Sequence, residues 1–142
     1  LEARLTEDDI LVWSAGGEGS AGTYGFYAEG PGSTYGASYI YIDNELDEVP
    51  GKQVVVLNTC FAGSARNMTD ENTTLLASSG PEEKTWSTFF LEDFYENMSK
   101  ARGGIYPSFG EVFEEISDMS SQIHNRDLAE ELYLGIPGET EV

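Results

Sequence analysis

The chain has 142 residues, of which 39% are hydrophobic and 12% are aromatic. This is enough apolar material for one folded domain with a core, and it excludes an intrinsically disordered chain. The net charge of −19, from 26 acidic and 7 basic residues, excludes nucleic acid as a partner because phosphate binding needs a basic face. The longest apolar runs, among them Val54–Leu57, are far shorter than the roughly 20 residues of a membrane-spanning helix, so the sequence predicts no membrane span.

The sequence holds one cysteine, Cys60, and one histidine, His124. A disulfide within the chain and a cysteine-based zinc site are therefore both excluded. Lysine is scarce beside the acidic residues. Such a composition favours a high-salt or extracytoplasmic setting, because screening relieves the repulsion between acidic groups.

The first part of the chain predicts short strands around glycine-rich loops. Ile10–Trp13 is a short apolar run that ends at Ser14-Ala15-Gly16-Gly17, a pattern typical of a buried strand entering a flexible loop. Two further strands, Thr23–Ala28 and Ser38–Ile42, are expected around the turn at Gly30-Pro31-Gly32. Their tyrosines favour an ordinary hairpin with half-buried rings, while a glycan- or protein-binding face stays open. The tyrosines of this region are Tyr24, Tyr27, Tyr35, Tyr39 and Tyr41.

An acidic segment, Asp43–Glu48, follows the predicted hairpin. Its acidic residues alternate along the chain as they do in a calcium-binding loop. However, Glu48 stands where an EF-hand needs glycine, and Val54 stands where it needs glutamate, so the EF-hand is excluded. The sequence otherwise predicts no cofactor, and a nonspecific calcium site is the one that it leaves open.

The strongest predicted strand is Gln53–Leu57, a β-branched run without polar alternation. Such a run is typical of a central strand of a parallel sheet, covered on both faces. The small residues of Asn58–Ala65 follow it and include Cys60, which therefore lies just past the carboxyl end of the strand. Open α/β sheets place their functional sites at this end. Thr73–Ala77 is predicted as another buried strand.

Two helices are predicted in the second half. The first spans Thr85–Ala101, and the second begins at Ser108, where Glu111 three positions later completes a capping box. The predicted fold is therefore α/β, a mostly parallel sheet with helices on both faces and the Tyr/Gly-rich hairpin over its carboxyl end. The apolar stripes of the two helices are Trp86, Phe89, Phe90, Phe94 and Met98, and Phe109, Val112, Phe113, Ile116, Met119 and Ile123.

The order of these segments resembles the caspase-like cysteine peptidases, the group of caspases, metacaspases, legumain and gingipains. Thr59-Cys60-Phe61-Ala62-Gly63 is similar to the family segment that supplies the nucleophile. In order of elements the likeness extends from Asp8 to Gly138, so residues 1–142 correspond to a single domain, the C-terminal two-thirds of the family domain. The family's first strands have no counterpart here, so the resemblance implies either a separate N-terminal chain that completes the sheet or a fold that lacks these strands.

The resemblance also implies roles for individual residues. Cys60 is the nucleophile that attacks a peptide or protein substrate, and the N–H groups of Gly17 and Cys60 hold the oxyanion. Asn58, two residues before the cysteine, is a substrate-binding position. Gly16 stands where the family has its histidine, so the base that activates the thiol and protonates the leaving amine is missing.

Two functions follow as hypotheses. The first is a caspase-like cysteine peptidase homologue that hydrolyses peptide bonds through Cys60, or is catalytically impaired by Gly16. The second is a non-catalytic binding or scaffolding module that uses the Tyr/Gly-rich surface. His124 is expected to lie far from Cys60 and to be a surface or helix-end residue.

Overall fold

The structure is a computed structural model that describes residues 4–27, 34–85 and 89–137, an α/β arrangement of two sheets and several short helices. In chain order the strands are β1 (Ile10–Gly17), β2 (Gly19–Ser20), β3 (Thr23–Tyr27), β4 (Thr34–Ser38), β5 (Lys52–Thr59), β6 (Thr73–Ala77) and β7 (Gln122–His124). The helices are α1 (Tyr39–Leu46), a 3₁₀-helix (Ala62–Met68), α2 (Phe90–Met98), α3 (Phe109–Ile116) and α4 (Arg126–Glu131).

The main sheet has four strands in the order β1-β5-β6-β7. Strands β1, β5 and β6 are parallel, and only β7 is antiparallel to its neighbour. Strand β5 lies between β1 and β6, and the side chains of Val54–Leu57 are completely buried. Burial on both faces explains why this strand shows no polar alternation, and it confirms the prediction of a mostly parallel sheet.

Helices cover the main sheet on both faces, as predicted. One face packs against α2, α3 and α4, and the other packs against α1 and the 3₁₀-helix. Alternate residues of β5 point to opposite faces, with Val54 and Val56 in the first core and Val55 and Leu57 in the second. The aromatic part of the first core consists of Phe90, Phe94, Phe109 and Phe113.

The predicted strand Ser38–Ile42 is wrong. Strand β4 ends at Ser38, and the following residues form helix α1 instead. Ser38 is the helix N-cap, and its side chain accepts a hydrogen bond from the backbone N–H of Tyr41. Tyr39 and Leu46, both buried, lie seven residues apart on one face of this helix. The capping bond and this buried face outweigh the strand propensity of the tyrosines and isoleucines.

The two predicted helices are shorter than expected. Helix α2 begins at Phe90, and Phe89 just before it is 59% exposed. Trp86 of the predicted stripe lies outside the described residues. Helix α3 begins as predicted, because the Ser108 hydroxyl accepts a hydrogen bond from the Glu111 N–H, but it ends at Ile116.

The end of α3 has a local cause. The carboxylate of Asp118 accepts hydrogen bonds from the backbone N–H groups of Ser120 and Ser121, which forms a turn in place of a further helical turn. Met119 is consequently fully exposed, and Ile123 belongs to strand β7 and not to the helix. Among the described residues no helix is long and apolar enough to cross a membrane.

Candidate active site at the carboxyl end of the main sheet

Cys60 directly follows the central strand β5 and is partly exposed. The next residue, Phe61, has left-handed backbone angles, φ 57° and ψ 29°, and the 3₁₀-helix starts at Ala62. A non-glycine residue in this conformation costs on the order of 1 kcal/mol or more, and it persists where the surroundings hold it. The chain therefore turns sharply at Cys60, between a buried strand and a helix, which leaves the thiol at the carboxyl end of the sheet.

The loop after β6 holds the Cys60 turn from one side. The Phe61 N–H donates to the Glu83 carbonyl at 2.7 Å, and the Gly63 N–H donates to the Ser79 carbonyl at 2.9 Å. The Ser79 hydroxyl accepts from the Ala62 N–H at 3.1 Å and donates to the Thr59 carbonyl at 2.9 Å. Hydrogen bonds on both sides of Cys60 thus fix the left-handed turn.

The glycine-rich loop after β1 lies against the other side of the turn. Gly16 pairs with Asn58 and Gly17 pairs with Thr59, so the ends of β1 and β5 are level. Gly19 is packed so closely that a Cβ atom there would lie 2.5 Å from the Cys60 carbonyl oxygen. The structure therefore brings the predicted residues Gly16, Gly17, Asn58 and Cys60 to one end of the sheet.

Gly16 and Gly17 differ in whether their backbone conformation permits a side chain. Gly17 has φ 132°, which side-chain-bearing residues rarely adopt, whereas Gly16 has no such requirement. A Cβ atom at Gly16 would lie 3.0 Å from Leu91 Cδ1, the flexible end of a side chain on α2. The Tyr24 hydroxyl donates to the Gly16 carbonyl at 3.0 Å. A side chain at position 16 is therefore compatible with the backbone, and it would point to the sheet face that carries Asn58.

Asn58, the predicted substrate-binding residue, is partly exposed at the end of β5. Its side-chain oxygen accepts a hydrogen bond from the Thr85 hydroxyl at 3.4 Å. Thr85 lies in the same loop that holds the Cys60 turn. Asn58 is neutral, so it offers hydrogen bonds and no charge to a neighbouring group.

His124 is not part of this arrangement. It lies on β7 opposite Leu75 of β6, and Leu75 is opposite Val55 of β5. His124 is therefore two strands from β5, roughly 10 Å across the sheet, and level with a residue far from the carboxyl end. Its Nε2 is 3.1 Å from Gln122 Oε1, and burial, with a smaller contribution from Arg66, lowers the pKa of the imidazole.

Most of the acidic segment after the hairpin is helical. Asp43 and Glu45 are in helix α1, where alternate residues point in different directions, so the alternation seen in the sequence does not collect their carboxylates. Burial raises the pKa of Asp43, and the charges of Asp47 and Asp70 raise it further. Among residues 4–27, 34–85 and 89–137, no three or more carboxylate, histidine or cysteine side chains are grouped to hold a metal ion.

The proposed tyrosine surface is also not assembled as predicted. Tyr39 is 3% exposed, and its hydroxyl lies 3.4 Å from the Thr59 hydroxyl, so this ring belongs to the core. Tyr41 is 60% exposed and Tyr24 is partly exposed. The side chains of Tyr27 and Tyr35 lie outside the described residues. Tyr39 is therefore not part of the predicted contact face, and the rest of that face stays a prediction.

The hydroxyl groups that hold the Cys60 turn were missed by sequence reasoning. Ser64 contacts Gly22 and Ser79 contacts Thr59, residues far away in sequence, and no local sequence pattern predicts such contacts. The only available signal was the run of small residues after Cys60, which allows close approach of other backbone segments.

A cavity lies at the opposite, amino end of the sheet. It measures about 570 Å³ and has acidic, basic and amide side chains in its wall. Lys52 donates to Asn72 there. The acidic residues of this wall are Glu7, Asp47 and Asp70.

Comparison of the sequence with known protein families and with curated proteins gives no match. The geometry of the Cys60 turn and the resemblance stated above are therefore the basis for any functional proposal.

Proposed function

We propose that this chain is a homologue of the caspase-like cysteine peptidases in which Cys60 occupies the nucleophile position and Gly16 replaces the histidine. One observation carries the proposal. Cys60 lies at the sharp turn after the central parallel strand, with the glycine loop of the neighbouring strand against its carbonyl. A nucleophile on a strained strand-to-helix turn is a recurrent arrangement in α/β hydrolytic enzymes.

The chemistry of such a site starts with the thiolate. It attacks the substrate carbonyl carbon, the C=O electron pair moves to the oxygen, and the N–H groups of Gly17 and Cys60 are the proposed donors to that oxyanion. Collapse of the intermediate breaks the C–N bond, and the leaving amine needs a proton. Gly16 has no group to supply this proton or to stabilise the thiolate. Because no neighbouring base is available to form and stabilise the thiolate, we expect slow acylation.

The test is cleavage of fluorogenic peptides with basic, acidic or asparaginyl residues before the scissile bond, with and without calcium. Slow cleavage by the natural chain that is lost in Cys60→Ala would support the peptidase proposal. Cleavage that persists in Cys60→Ala would come from a contaminant. Total absence of cleavage, with a Cys60 thiol that an acylating peptide ester also fails to modify, would contradict it.

A second candidate function, a binding module, is favoured by the open edge of β1. This strand is eight residues long, and within the described residues its hydrogen-bonded neighbour is β5 alone. Its side chains Ile10–Ala15 are only partly buried, although they are apolar on both faces apart from Ser14. Long apolar edge strands without charges or proline readily pair with another strand. We therefore propose that β1 is completed by a strand from another polypeptide, one of the two arrangements that the resemblance implies.

Charge indicates which strand would fit this edge. Acidic residues flank β1 at both ends, with Asp8 and Asp9 before it and Glu18 after it. Two copies of this chain paired through antiparallel β1 strands would bring these acids together. A partner strand with an apolar centre and lysine or arginine at its ends avoids that repulsion.

Synthetic peptides test the edge. An alternating Val/Thr peptide with lysines at both ends should bind, should change the fluorescence of Trp13 and should protect the β1 amides from hydrogen exchange. The same peptide with glutamate ends should bind more weakly, and one with a central proline should not bind. The variant Trp13→Phe should lose this fluorescence change, which would show that the signal comes from Trp13. Equal binding of the proline peptide would contradict strand addition.

A further inference from the structure

We infer that Ser64 is a positioning residue that couples the glycine loop, residues 16–22, to the turn that carries Cys60. The Ser64 hydroxyl accepts a hydrogen bond from the Gly22 N–H at 2.8 Å and donates one to the Phe61 carbonyl at 2.6 Å. One atom thus joins the far end of the loop to the residue after Cys60. The inference rests on the proposed role of Cys60 and adds a residue that the family resemblance does not assign.

The chemistry of a hydroxyl suits this double contact. Its oxygen accepts one hydrogen bond and donates another at the same time. The peptide group on the N-terminal side of Phe61 is held as well, since the Phe61 N–H donates to the Glu83 carbonyl. With both polar groups of Phe61 engaged, the left-handed conformation that directs Cys60 is fixed from two directions.

The glycine loop is held at several places along its length, including the Gly22 carbonyl, which accepts a hydrogen bond from the Tyr39 N–H at 3.0 Å. The Tyr24 hydroxyl donates to the Gly16 carbonyl at its start, and Gly19 is packed against the Cys60 carbonyl in its middle. Ser64 holds Gly22 at its end. The two proposed oxyanion donors, the N–H groups of Gly17 and Cys60, belong to the loop and to the turn respectively. Their relative position therefore depends on the contacts between these two segments, and Ser64 provides one that also fixes the turn.

The test compares Ser64→Ala with Thr69→Ala. The Thr69 hydroxyl donates to the Arg66 carbonyl at 2.6 Å just after the same 3₁₀-helix, so its loss removes a side-chain hydrogen bond of equal length. We expect Ser64→Ala to accelerate hydrogen exchange in residues 17–22 and to raise the limiting rate of Cys60 alkylation by iodoacetamide by about three- to tenfold. The pH midpoint of alkylation should also change, because the backbone on the C-terminal side of Cys60 is held less firmly without the Ser64 hydroxyl. Thr69→Ala should change neither quantity, and Ser64→Thr, which keeps the hydroxyl, should restore both.

Two results would overturn the inference. One is unchanged exchange of the loop in Ser64→Ala, and the other is faster exchange with an unchanged alkylation rate and midpoint. If Ser64→Ala does not fold, Tyr24→Phe releases the other end of the loop, and Ser64→Thr must still behave as the natural chain. Alkylation does not require peptide hydrolysis, so a natural chain that cleaves no peptide would contradict the proposed function without deciding the role of Ser64.

Discussion

The two ends of the main sheet differ in how they are built. At the carboxyl end, backbone segments approach so closely that Gly19 has no space for a Cβ atom, and hydrogen bonds hold the turn around Cys60. At the amino end, a cavity of about 570 Å³ is lined by acidic side chains together with Lys52. This cavity and Cys60 therefore lie at opposite ends of the sheet.

A large cavity and the proposed nucleophile position thus need not lie at the same end of a sheet. A reactive group needs fixed neighbours, and the carboxyl end supplies them through Ser64 and Ser79. At the amino end, Asp47 and Asp70 line the cavity. Burial raises the pKa of the Asp43 carboxyl, and the charges of Asp47 and Asp70 raise it further. The carboxyl end thus depends on packing and hydrogen bonds, and the amino end is governed by charge.

The largest expected effect is that of Gly19→Ala at the carboxyl end. The added Cβ atom would lie 2.5 Å from the Cys60 carbonyl oxygen and 2.9 Å from Thr59 Oγ1, and the carbonyl is backbone that cannot move easily. We expect a loss of about 1–3 kcal/mol in the free energy of unfolding, measured by urea titration. Gly16→Ala is the control, because its Cβ would meet only the flexible end of Leu91. Equal stability of the two variants would contradict the tight packing at Gly19.

A smaller effect is expected from salt at the amino end. With a net charge of −19, the chain should gain thermal stability between low and molar sodium chloride, by at least a few degrees in Tm, because screening weakens acid repulsion. Replacing both Asp47 and Asp70 by asparagine should reduce that gain. An equal rise of Tm with salt in the double variant and in the natural chain would contradict a specific contribution of Asp47 and Asp70 to the repulsion.

The smallest expected effect concerns the pH dependence of Asp43. Because burial and the neighbouring carboxylates raise its pKa above 3.8, the folded chain binds this proton more tightly than the unfolded chain does. The contribution of Asp43 to stability should therefore be present below about pH 4 and be lost as the pH rises through the raised pKa. Asp43→Asn should flatten this part of the stability profile, measured by urea titration at several pH values. Glu82→Gln, at an exposed site in the loop after β6, is the control. If the free energy of unfolding depends on pH in Asp43→Asn as it does in the natural chain, this would contradict a raised pKa of Asp43 in the folded chain.

The sequence predicted the parts of the fold that local patterns determine. The buried β-branched strand, the neighbouring strand Thr73–Ala77 and the Ser108 cap all depend on residues close together in the chain. The helix at Tyr39 was missed because β-branched and aromatic residues favour strands, and tertiary burial of Tyr39 decides otherwise. At the candidate site the position of Cys60 after β5 was predictable. The contacts of Ser64 with Gly22 and of Ser79 with Thr59 were not, since these partners are distant in sequence.

The central claim is that Gly16 occupies the position of a missing base beside Cys60. The most direct measurement is the rate of Cys60 alkylation by iodoacetamide as a function of pH in Gly16→His, with Gly16→Ala as the matched control. The account predicts that the histidine variant alkylates faster near neutral pH, with its midpoint below that of the natural chain, because an imidazolium stabilises the thiolate. Identical profiles in a folded histidine variant and in the alanine control would contradict the account.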